Sequence, residues 1–560
     1  MPTGAALGLA HEFNLSAPEL ARGLSHLASA TALRPIVARL AAGESISIGL
    51  LGASVGQDAG CYEPGRRCND YSGRVPTGLP WRRQRRPYAG FLVRFMQAIN
   101  TTWPNAEHQI TNGAADGTPP QSILDCLFSH LPRNLDIVIL EFGSMARDVH
   151  MPSVEALLRV LLGQPRRPLI LFLTVREWCR ADKIAFGSRA RPFGANESTT
   201  WSRAEGKFER LCAHYDLSCL SYYRALSEGF HARAPGYGYD DLAADCLHPL
   251  SGRRGTEVMT DLLAHWLDAS IARVATDATA APPRPPPLPL ERVFDVTAVD
   301  KAQASARHAA CYSMLEGGSS YQKSNHLVYQ RLRPNPWVTA YCARRPGHSR
   351  LDTTLSGCSS YNRNVRCTPD VVRPPSPNNQ PVWFYCFKAF RADGTLGKKS
   401  PGVLALHPGA TLDLRVDTRL HDSFNAHGGV GGGATNASAA VLTAKLLYLR
   451  SYNGMGRIEL SCHFGCACAT HTLDAHRVSL TDRNISVYDD HTFDVHGASA
   501  SCVLRARIVR GTSSGGHKFK LRFLTVTASD SPGASGPQKA PKKKKPPPPL
   551  RPGDHEEVLP

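Results

Sequence analysis

The sequence has no apolar stretch long enough to span a bilayer, and its first residues lack the apolar core of a signal peptide. It also contains no nucleic-acid-binding module with spaced aromatic and basic residues, although its net charge is +18. We interpret the basic runs at residues 81–86 and 542–545 as a solvated surface and a lysine tail. The sequence therefore predicts no transmembrane segment, no signal peptide in this chain and no specific nucleic-acid binding.

Cysteine, by contrast, is abundant. The 560 residues contain 16 cysteines, which is high for a cytosolic enzyme of this size. Sequons of the type N-x-S/T begin at Asn14, Asn100, Asn196, Asn436 and Asn484. Together these features suggest a disulfide-bonded glycoprotein of the secretory pathway or the extracellular space. The lack of a signal peptide in this chain argues against secretion, so the localisation stays unknown from sequence. Cys61 and Cys68 bracket a loop that is short enough for a local disulfide.

The length exceeds that of one ordinary hydrophobic core, so we expect two domains or more. Residues 1–43 have leucines at helical spacing, and residues 44–275 alternate strands with helices, which predicts a parallel sheet covered by helices on both faces. A Pro-rich linker follows at residues 276–292. Short strands between turn signals predict a β-sandwich-like domain at residues 293–528, and the Lys/Pro-rich tail at 529–560 should be disordered.

Within the first domain, strands are predicted at the start of the stretch from Ile46 and at residues 135–142, 169–175 and 218–221, and a short segment at 107–111 precedes Gly113. Helical spacing of apolar residues occurs at 88–100, 123–131, 154–162, 208–214 and 252–272. In the second domain, strands are predicted at 411–416, 441–449, 502–509 and 519–526. The change of period from helical to alternating supports a domain boundary at the Pro-rich linker.

The stretch from Ile46 to Gly60 carries the first chemical signal. A β-branched apolar run ends in a turn of small residues that contains Ser54. A serine just past the carboxyl end of a buried strand lies where α/β sheets build their sites, and Gly52 and Gly56 permit a sharp turn close to a ligand. The same pattern also fits a strand with a plain glycine-rich turn, so Ser54 needs a partner before it can be assigned a function.

Asp245 and His248 can supply that partner. An acid three residues before a histidine can reach the imidazole, fix its tautomer and stabilise the imidazolium. The other ring nitrogen can then accept the proton of a serine hydroxyl. Alone, this spacing also fits a structural pair, but together with Ser54 in the same domain it predicts a nucleophilic triad.

These motifs resemble those of the SGNH/GDSL hydrolase family over residues 44–272. The first family motif, Gly-Asp-Ser, is similar to Gly52-Ala53-Ser54, the glycine of the second is similar to Gly113, and Asp-x-x-His is similar to residues 245–248. The resemblance implies an α/β domain with the flavodoxin-like three-layer α/β/α fold and a parallel sheet. It also implies that Ser54 is the nucleophile of an ester hydrolase.

The third family motif, Gly-x-Asn-Asp, has no asparagine here, and Arg147 stands before Asp148 if one insertion is allowed. The resemblance implies three donors to the oxyanion, of which the backbone N–H groups of Ser54 and Gly113 would remain. Arg147 and Asn112 are the candidates for the third donor. Loss of one such donor can cost about 100- to 1,000-fold in rate.

The implied chemistry is acyl transfer through an acyl-enzyme on Ser54, with no cofactor and no metal. With water as acceptor, the protein is a serine esterase acting on an acylated carbohydrate or a small ester. With a sugar hydroxyl as acceptor, it is a carbohydrate O-acyltransferase. If the altered third motif has ended catalysis, it is an SGNH-like glycan-binding protein. The oligomeric state is left open by the sequence.

The second domain contains a cluster of potential metal ligands, namely Cys462, Cys466, Cys468 and His471. Their spacing matches no trusted zinc pattern, so we favour disulfides over a metal site. The domain has an odd number of cysteines, which leaves at least one unpaired or bonded elsewhere. Residues 448–456 loosely resemble plant and algal SGNH-like proteins with a C-terminal β-rich domain. Aromatic residues at 334–337 and 382–385 suit either a core or a glycan-stacking surface, and we favour a core.

Overall fold

The computed structural model describes residues 8–63, 66–67, 73–74, 90–143, 145, 148–180, 191–192, 194, 200–243, 246–252, 254–277, 287–313, 383–390, 396–419, 441–452, 454–477 and 486–528. Several residues with predicted roles lie outside these ranges, among them Asp245, Arg147, Cys68, Asn196, Asn436 and Asn484. So do both basic runs and the aromatic group at 334–337. The described residues belong to one compact unit, and the tail at 529–560, predicted to be disordered, lies outside the described residues.

The helices of the described residues are α1 (Ala17–Gly23), α2 (Ala30–Ala41), α3 (Phe91–Thr102), α4 (Pro120–Leu124), α5 (Leu127–His130), α6 (Met151–Leu162), α7 (Thr200–Tyr215), α8 (Tyr222–His231), α9 (Tyr239–Leu242), α10 (Thr256–Thr276) and α11 (Val296–His308). The strands up to residue 221 are β1 (Leu24–His26), β2 (Ser47–Gly52), β3 (Tyr62–Glu63), β4 (Arg66–Arg67), β5 (Gly73–Arg74), β6 (Gln109–Asn112), β7 (Ile137–Glu141), β8 (Leu169–Thr174), β9 (Cys179–Arg180), β10 (Arg191–Pro192) and β11 (Ser218–Ser221). The later strands are β12 (Ala310–Ser313), β13 (Trp383–Phe390), β14 (Leu396–Ala405), β15 (Thr411–Val416), β16 (Val441–Arg450), β17 (Arg457–Phe464), β18 (His471–Asp474), β19 (Val487–His496), β20 (Cys502–Ile508) and β21 (Phe519–Ala528).

The α/β part is built on a sheet with the strand order β1-β11-β8-β7-β2-β6-β5. Its five inner strands run parallel, which confirms the parallel sheet predicted from sequence. The two outer strands, β1 and β5, are antiparallel. Counted along the chain, the parallel strands lie in the order 2-1-3-4-5. The direction of winding therefore reverses between β2 and β7.

Helices cover both faces of this sheet. Along β7, Ile137 and Ile139 point into one hydrophobic cluster, while Val138 and Leu140 point into the other. The first cluster includes residues of α2, α3, α8 and α10, and the second includes residues of α4 to α7. Burial on both faces explains why these strands are continuous apolar runs in the sequence. Each fully buried Ile or Leu contributes about 1.5–3 kcal/mol.

The N-terminal segment predicted as helical is interrupted by a strand. Helix α1 ends at Gly23, and β1 then pairs with β11 at the edge of the sheet. A Cβ at Gly23 would lie 2.3 Å from Leu262 Cδ2, so the glycine permits close packing of α10. Ser29 then caps the second helix by accepting a hydrogen bond from Ala32 N–H. The leucine spacing alone predicts a helix here. Pairing with β11, which is distant in sequence, makes this segment a strand instead.

The segment predicted to open the β-rich domain at residue 293 instead begins with α11, which packs on α6. The buried carboxylate of Glu155 accepts hydrogen bonds from Val293 N–H at 2.7 Å and Phe294 N–H at 2.9 Å. Val299 joins the hydrophobic cluster of α6 and α7. The chain thus continues to pack on the α/β part after the Pro-rich linker.

The β-rich part has two antiparallel sheets. One contains β13-β14-β21-β16-β19 with β12 paired to β21, and the other contains β15-β20-β17-β18. Alternate residues of both sheets enter one hydrophobic cluster, as in β15, where Leu412, Leu414 and Val416 are buried. Trp383 is 3% exposed and packs its ring against Phe519, which confirms the core interpretation for this tryptophan.

Disulfides account for the cysteine cluster of the β-rich part. Cys462 bonds Cys468, and Cys466 bonds Cys502, so the disulfide interpretation is confirmed over the metal site. The described residues contain no group of side chains suited to a metal ion. The odd cysteine is also explained, because Cys311 bonds Cys126 of the α/β part.

No helix of the described ranges is long and apolar enough to cross a membrane.

Of the sequons on described residues, Asn100 lies in α3 and is 7% exposed. That asparagine is therefore closed to glycosylation in the folded protein. Asn14 is partly exposed. Cys61 is disulfide-bonded, and its predicted partner lies outside the described residues.

The β-rich part also contacts the loop that follows β6. Arg522 is fully buried and donates hydrogen bonds to Thr118 Oγ1 and, at 3.4 Å, to the carbonyl of Asp116. Its guanidinium lies 3.6 Å from the ring centroid of Tyr488. The backbone N–H of Tyr488 donates a hydrogen bond to the Gly117 carbonyl at 3.0 Å. The β-rich part therefore supports a loop beside the parallel strand β2.

Candidate active site

Ser54 lies just beyond the carboxyl end of β2, between the ends of β6 and β7. This is the point at which the winding of the sheet reverses, where connections leave toward opposite faces and open a crevice. The carbonyl of Ser54 accepts hydrogen bonds from Gln57 N–H at 3.2 Å and Ala59 N–H at 3.0 Å. The turn after β2 is therefore fixed, and it holds the serine at the place where such sheets bind ligands.

The structure brings Ser54 and His248 together across 194 residues of sequence. Ser54 Oγ lies 2.7 Å from His248 Nε2, within hydrogen-bond distance. Both residues are 8% exposed. With the proton of the imidazole on Nδ1, Nε2 can accept the serine proton. The pair predicted from sequence therefore has the geometry of a nucleophile and a general base.

The loop that carries His248 is held in place by a disulfide and a backbone hydrogen bond. Cys246 bonds Cys179, which follows β8, and the carbonyl of Cys246 accepts from Trp178 N–H at 2.7 Å. On the other side, the backbone of Gly60 lies against His248. The imidazole is thus located by contacts from two separate segments of the α/β part.

We expect the disulfide between Cys179 and Cys246 to matter for activity. Replacing both with alanine frees the loop two residues before the base and should lower kcat about 10- to 100-fold, because small displacements of a catalytic group are costly. The loss of a bond with sequence separation 67 should also cost about 4 kcal/mol of stability in the chain-entropy model. Steady-state kinetics and thermal unfolding measure the two effects.

The matched control removes the disulfide between Cys462 and Cys468 in the β-rich part. This double alanine variant should retain the wild-type kcat. Equal kcat in both double variants would contradict a role of the Cys179–Cys246 bond in holding the base.

Two of the predicted oxyanion donors, Gly113 and Asn112, make hydrogen bonds within the fold. Gly113 N–H donates to the Leu50 carbonyl at 2.8 Å and so continues the ladder between β6 and β2. Asn112 Nδ2 donates to the Gly56 carbonyl at 2.8 Å, and its Oδ1 accepts from Ala114 N–H. The backbone N–H of Gly113 is therefore committed to the sheet, which corrects its assignment as an oxyanion donor. The Asn112 side chain supports the turn, and its role as an oxyanion donor stays a prediction.

Two further predicted residues, Asp245 and Arg147, lie outside the described residues. Ser54 N–H has no hydrogen-bond acceptor within the part of the chain that is described.

The sequence motifs do not predict a carboxyl group that lies beneath the turn after β2. Glu141 ends β7 and is completely buried, and its Oε2 accepts from Gly56 N–H at 3.0 Å. Burial raises the pKa of Glu141 to about 8, although backbone amides partly oppose the shift. An acidic residue at the end of an otherwise apolar strand was the available signal.

Fold and site together define an α/β protein with a serine–histidine pair at the switch point of a parallel sheet. No family model matches the chain, and no curated protein matches its sequence. Among solved structures, it is similar to a two-domain esterase active on acetylated mannans, at 14% identity and TM-score 0.45, over 91% of this chain and 99% of that chain. The same esterase co-crystallized with mannopentaose gives 14% identity and TM-score 0.44, over 91% and 98%. These values are too low to carry an argument about function.

Proposed function

We propose that this protein is a serine esterase of the SGNH type that hydrolyses an ester of an acylated carbohydrate or a small alcohol. The observation that carries the proposal is the 2.7 Å approach of Ser54 Oγ to His248 Nε2 at the switch point of the sheet. The strand order 2-1-3-4-5 is that of flavodoxin-like sheets and supports the SGNH assignment of the fold.

In the proposed mechanism, His248 removes the proton of Ser54 as its oxygen attacks the ester carbonyl. The imidazolium then gives that proton to the leaving alcohol, and an acyl-enzyme on Ser54 remains. Water, deprotonated by His248, attacks the acyl-enzyme and releases the acid. Asp245 is proposed to orient the imidazole, and Ser54 N–H is proposed to donate to the oxyanion.

The test is covalent labelling of the purified protein by a fluorophosphonate probe, which reacts with activated serines. Wild type should be labelled, whereas Ser54→Ala should show no labelling because the nucleophile is missing. Ser227, partly exposed on α8, offers a matched control, and Ser227→Ala should be labelled like wild type. Mass spectrometry of the labelled peptide should assign the adduct to Ser54.

Hydrolysis assays then address the substrate. The panel contains p-nitrophenyl acetate, longer acyl esters and acetylated mannan, the last because the solved two-domain esterase acts on acetylated mannans. Adding sugar acceptors separates hydrolysis from carbohydrate O-acyl transfer. If wild type and Ser54→Ala are equally inactive on all donors and neither is labelled, the esterase proposal is wrong.

A second candidate is an SGNH-like glycan-binding protein without activity. The observation that favours it is the use of Gly113 N–H and the Asn112 side chain inside the fold, which leaves fewer oxyanion donors. Glycan-array binding that persists in Ser54→Ala and His248→Ala, without labelling of wild type, would support it.

A further inference from the structure

Glu141 contacts the turn that carries Ser54, and the proposed mechanism gives it no task. Its Oε2 accepts a hydrogen bond from Gly56 N–H at 3.0 Å, and its backbone carbonyl accepts from Ala53 N–H at 3.3 Å. These two amides lie before and after the nucleophile in sequence. Glu141 therefore fixes the turn on both sides of Ser54.

The glycine before the nucleophile makes room for this carboxyl group. Gly52 lies directly opposite Glu141 in the parallel register of β2 and β7. A Cβ at Gly52 would lie 2.5 Å from the Glu141 carbonyl oxygen and 3.2 Å from Oε2. Packing against β7 thus accounts for Gly52 without a ligand.

The carboxyl group is 0% exposed, and no described residue donates a hydrogen bond to its Oε1. Burial raises the pKa of Glu141 to about 8, so the neutral acid predominates at neutral pH. A neutral carboxyl keeps a carbonyl oxygen that can accept from Gly56 N–H. Because it is uncharged, the carboxyl group also places no negative charge near the turn where the oxyanion forms.

We propose that Glu141 is a positioning residue, which holds the turn of residues 53–56 by accepting a hydrogen bond from Gly56 N–H and thereby aims Ser54 Oγ at His248. The inference rests on the proposed role of Ser54 as nucleophile. Glu141 is not a catalytic residue, because it acts through the turn.

Charged groups on the surrounding elements have other partners. Asp58 on the same turn accepts from the first amide of α3, His248 faces Ser54, and Arg176 beyond β8 lies over an aromatic ring. None of these groups is among the causes of the raised pKa of Glu141. Ionisation of this carboxyl group would therefore place a buried charge under the turn that only backbone amides stabilise.

The test compares Glu141→Gln, Glu141→Met and Glu141→Asp. Glutamine keeps an acceptor and cannot ionise, methionine keeps the length without the acceptor, and aspartate keeps the carboxyl one methylene short. Glu141→Gln should stay within about threefold of the wild-type kcat. Glu141→Met and Glu141→Asp should lose about 10- to 100-fold in kcat with little change in KM, because the nucleophile is misplaced.

The pH dependence gives a second readout. Because the folded-state pKa of Glu141 is raised from 4.5 to about 8, its contribution to stability is complete below about pH 4.5 and is lost as the pH rises through 8. Glu141→Gln should remove this part of the dependence. The melting temperature of Glu141→Gln, measured relative to that of wild type, should therefore rise as the pH increases from 5 to 9.

Hydrogen exchange of the Gly56 amide reports on the turn without any substrate. This amide should exchange slowly in wild type and Glu141→Gln, and about tenfold faster or more in Glu141→Met. If wild type is not labelled at Ser54, the proposed function is wrong. Hydrogen exchange of the Gly56 amide still shows in that case whether Glu141 holds the turn. Equal exchange in wild type and Glu141→Met, or an equal kcat loss in Glu141→Gln and Glu141→Met, would overturn the proposal.

Discussion

Replacing His248 with alanine should lower kcat/KM for ester hydrolysis by about 10⁴-fold or more. The physical reason is that Ser54 Oγ has its hydrogen-bond partner in His248 Nε2, at 2.7 Å. Without this base, the hydroxyl stays protonated and is a weak nucleophile at neutral pH. Steady-state kinetics with p-nitrophenyl acetate measure the loss, and fluorophosphonate labelling of Ser54 should disappear in parallel.

Added imidazole should restore part of the activity of His248→Ala, because a free base can enter the space that the side chain leaves. It should not restore Ser54→Ala, which has no nucleophile. The matched control is His214→Ala on α7, which should retain wild-type kinetics, since His214 contacts only the Glu291 carbonyl among described hydrogen bonds. Wild-type kcat/KM in His248→Ala would exclude the proposed mechanism.

Replacing Gly60 with alanine should lower kcat about 100-fold. Gly60 has a φ of +96°, which favours glycine, and an added Cβ would lie 2.6 Å from both His248 Cβ and the His248 carbonyl oxygen. The backbone of the base must then move away from Ser54. Strain at this position should also cost about 1–3 kcal/mol of stability. Kinetics and thermal unfolding measure the two effects.

Gly43 provides the matched control for Gly60. Its φ is +69°, also in the left-handed region, but nothing lies within 4 Å of an added Cβ. Gly43→Ala should therefore lose stability by backbone strain while its kcat stays at the wild-type value. If both alanine variants lose stability and neither loses kcat, contact with His248 does not locate the base.

Much of the site could be predicted because its signals are local in sequence. Ser54 follows an apolar strand, and His248 belongs to a four-residue motif, so each could be identified without tertiary structure. The oxyanion donors could not be identified in this way. Whether Gly113 N–H is free depends on its register with Leu50, which is 63 residues earlier in the chain.

The fold shows the same difference between elements that follow from local sequence and elements that depend on distant residues. Strands β7 and β8 were predicted because they are apolar on both faces, and only buried parallel strands need such runs. The short edge strand β1 and helix α11 were missed, because β1 depends on pairing with β11 and α11 depends on packing against α6. Their local residue patterns alone do not specify these partners.

By itself, the sequence determined the parallel α/β sheet and the β-rich part, and it gave Ser54 and His248 as candidates for the site. These follow from apolar periodicity and short motifs, which act over a few residues. Only the tertiary structure decided that Ser54 and His248 meet, that Glu141 lies beneath their turn and that Gly113 is committed to the sheet. Each of these depends on strand order and register, which bring distant residues to one edge of the sheet.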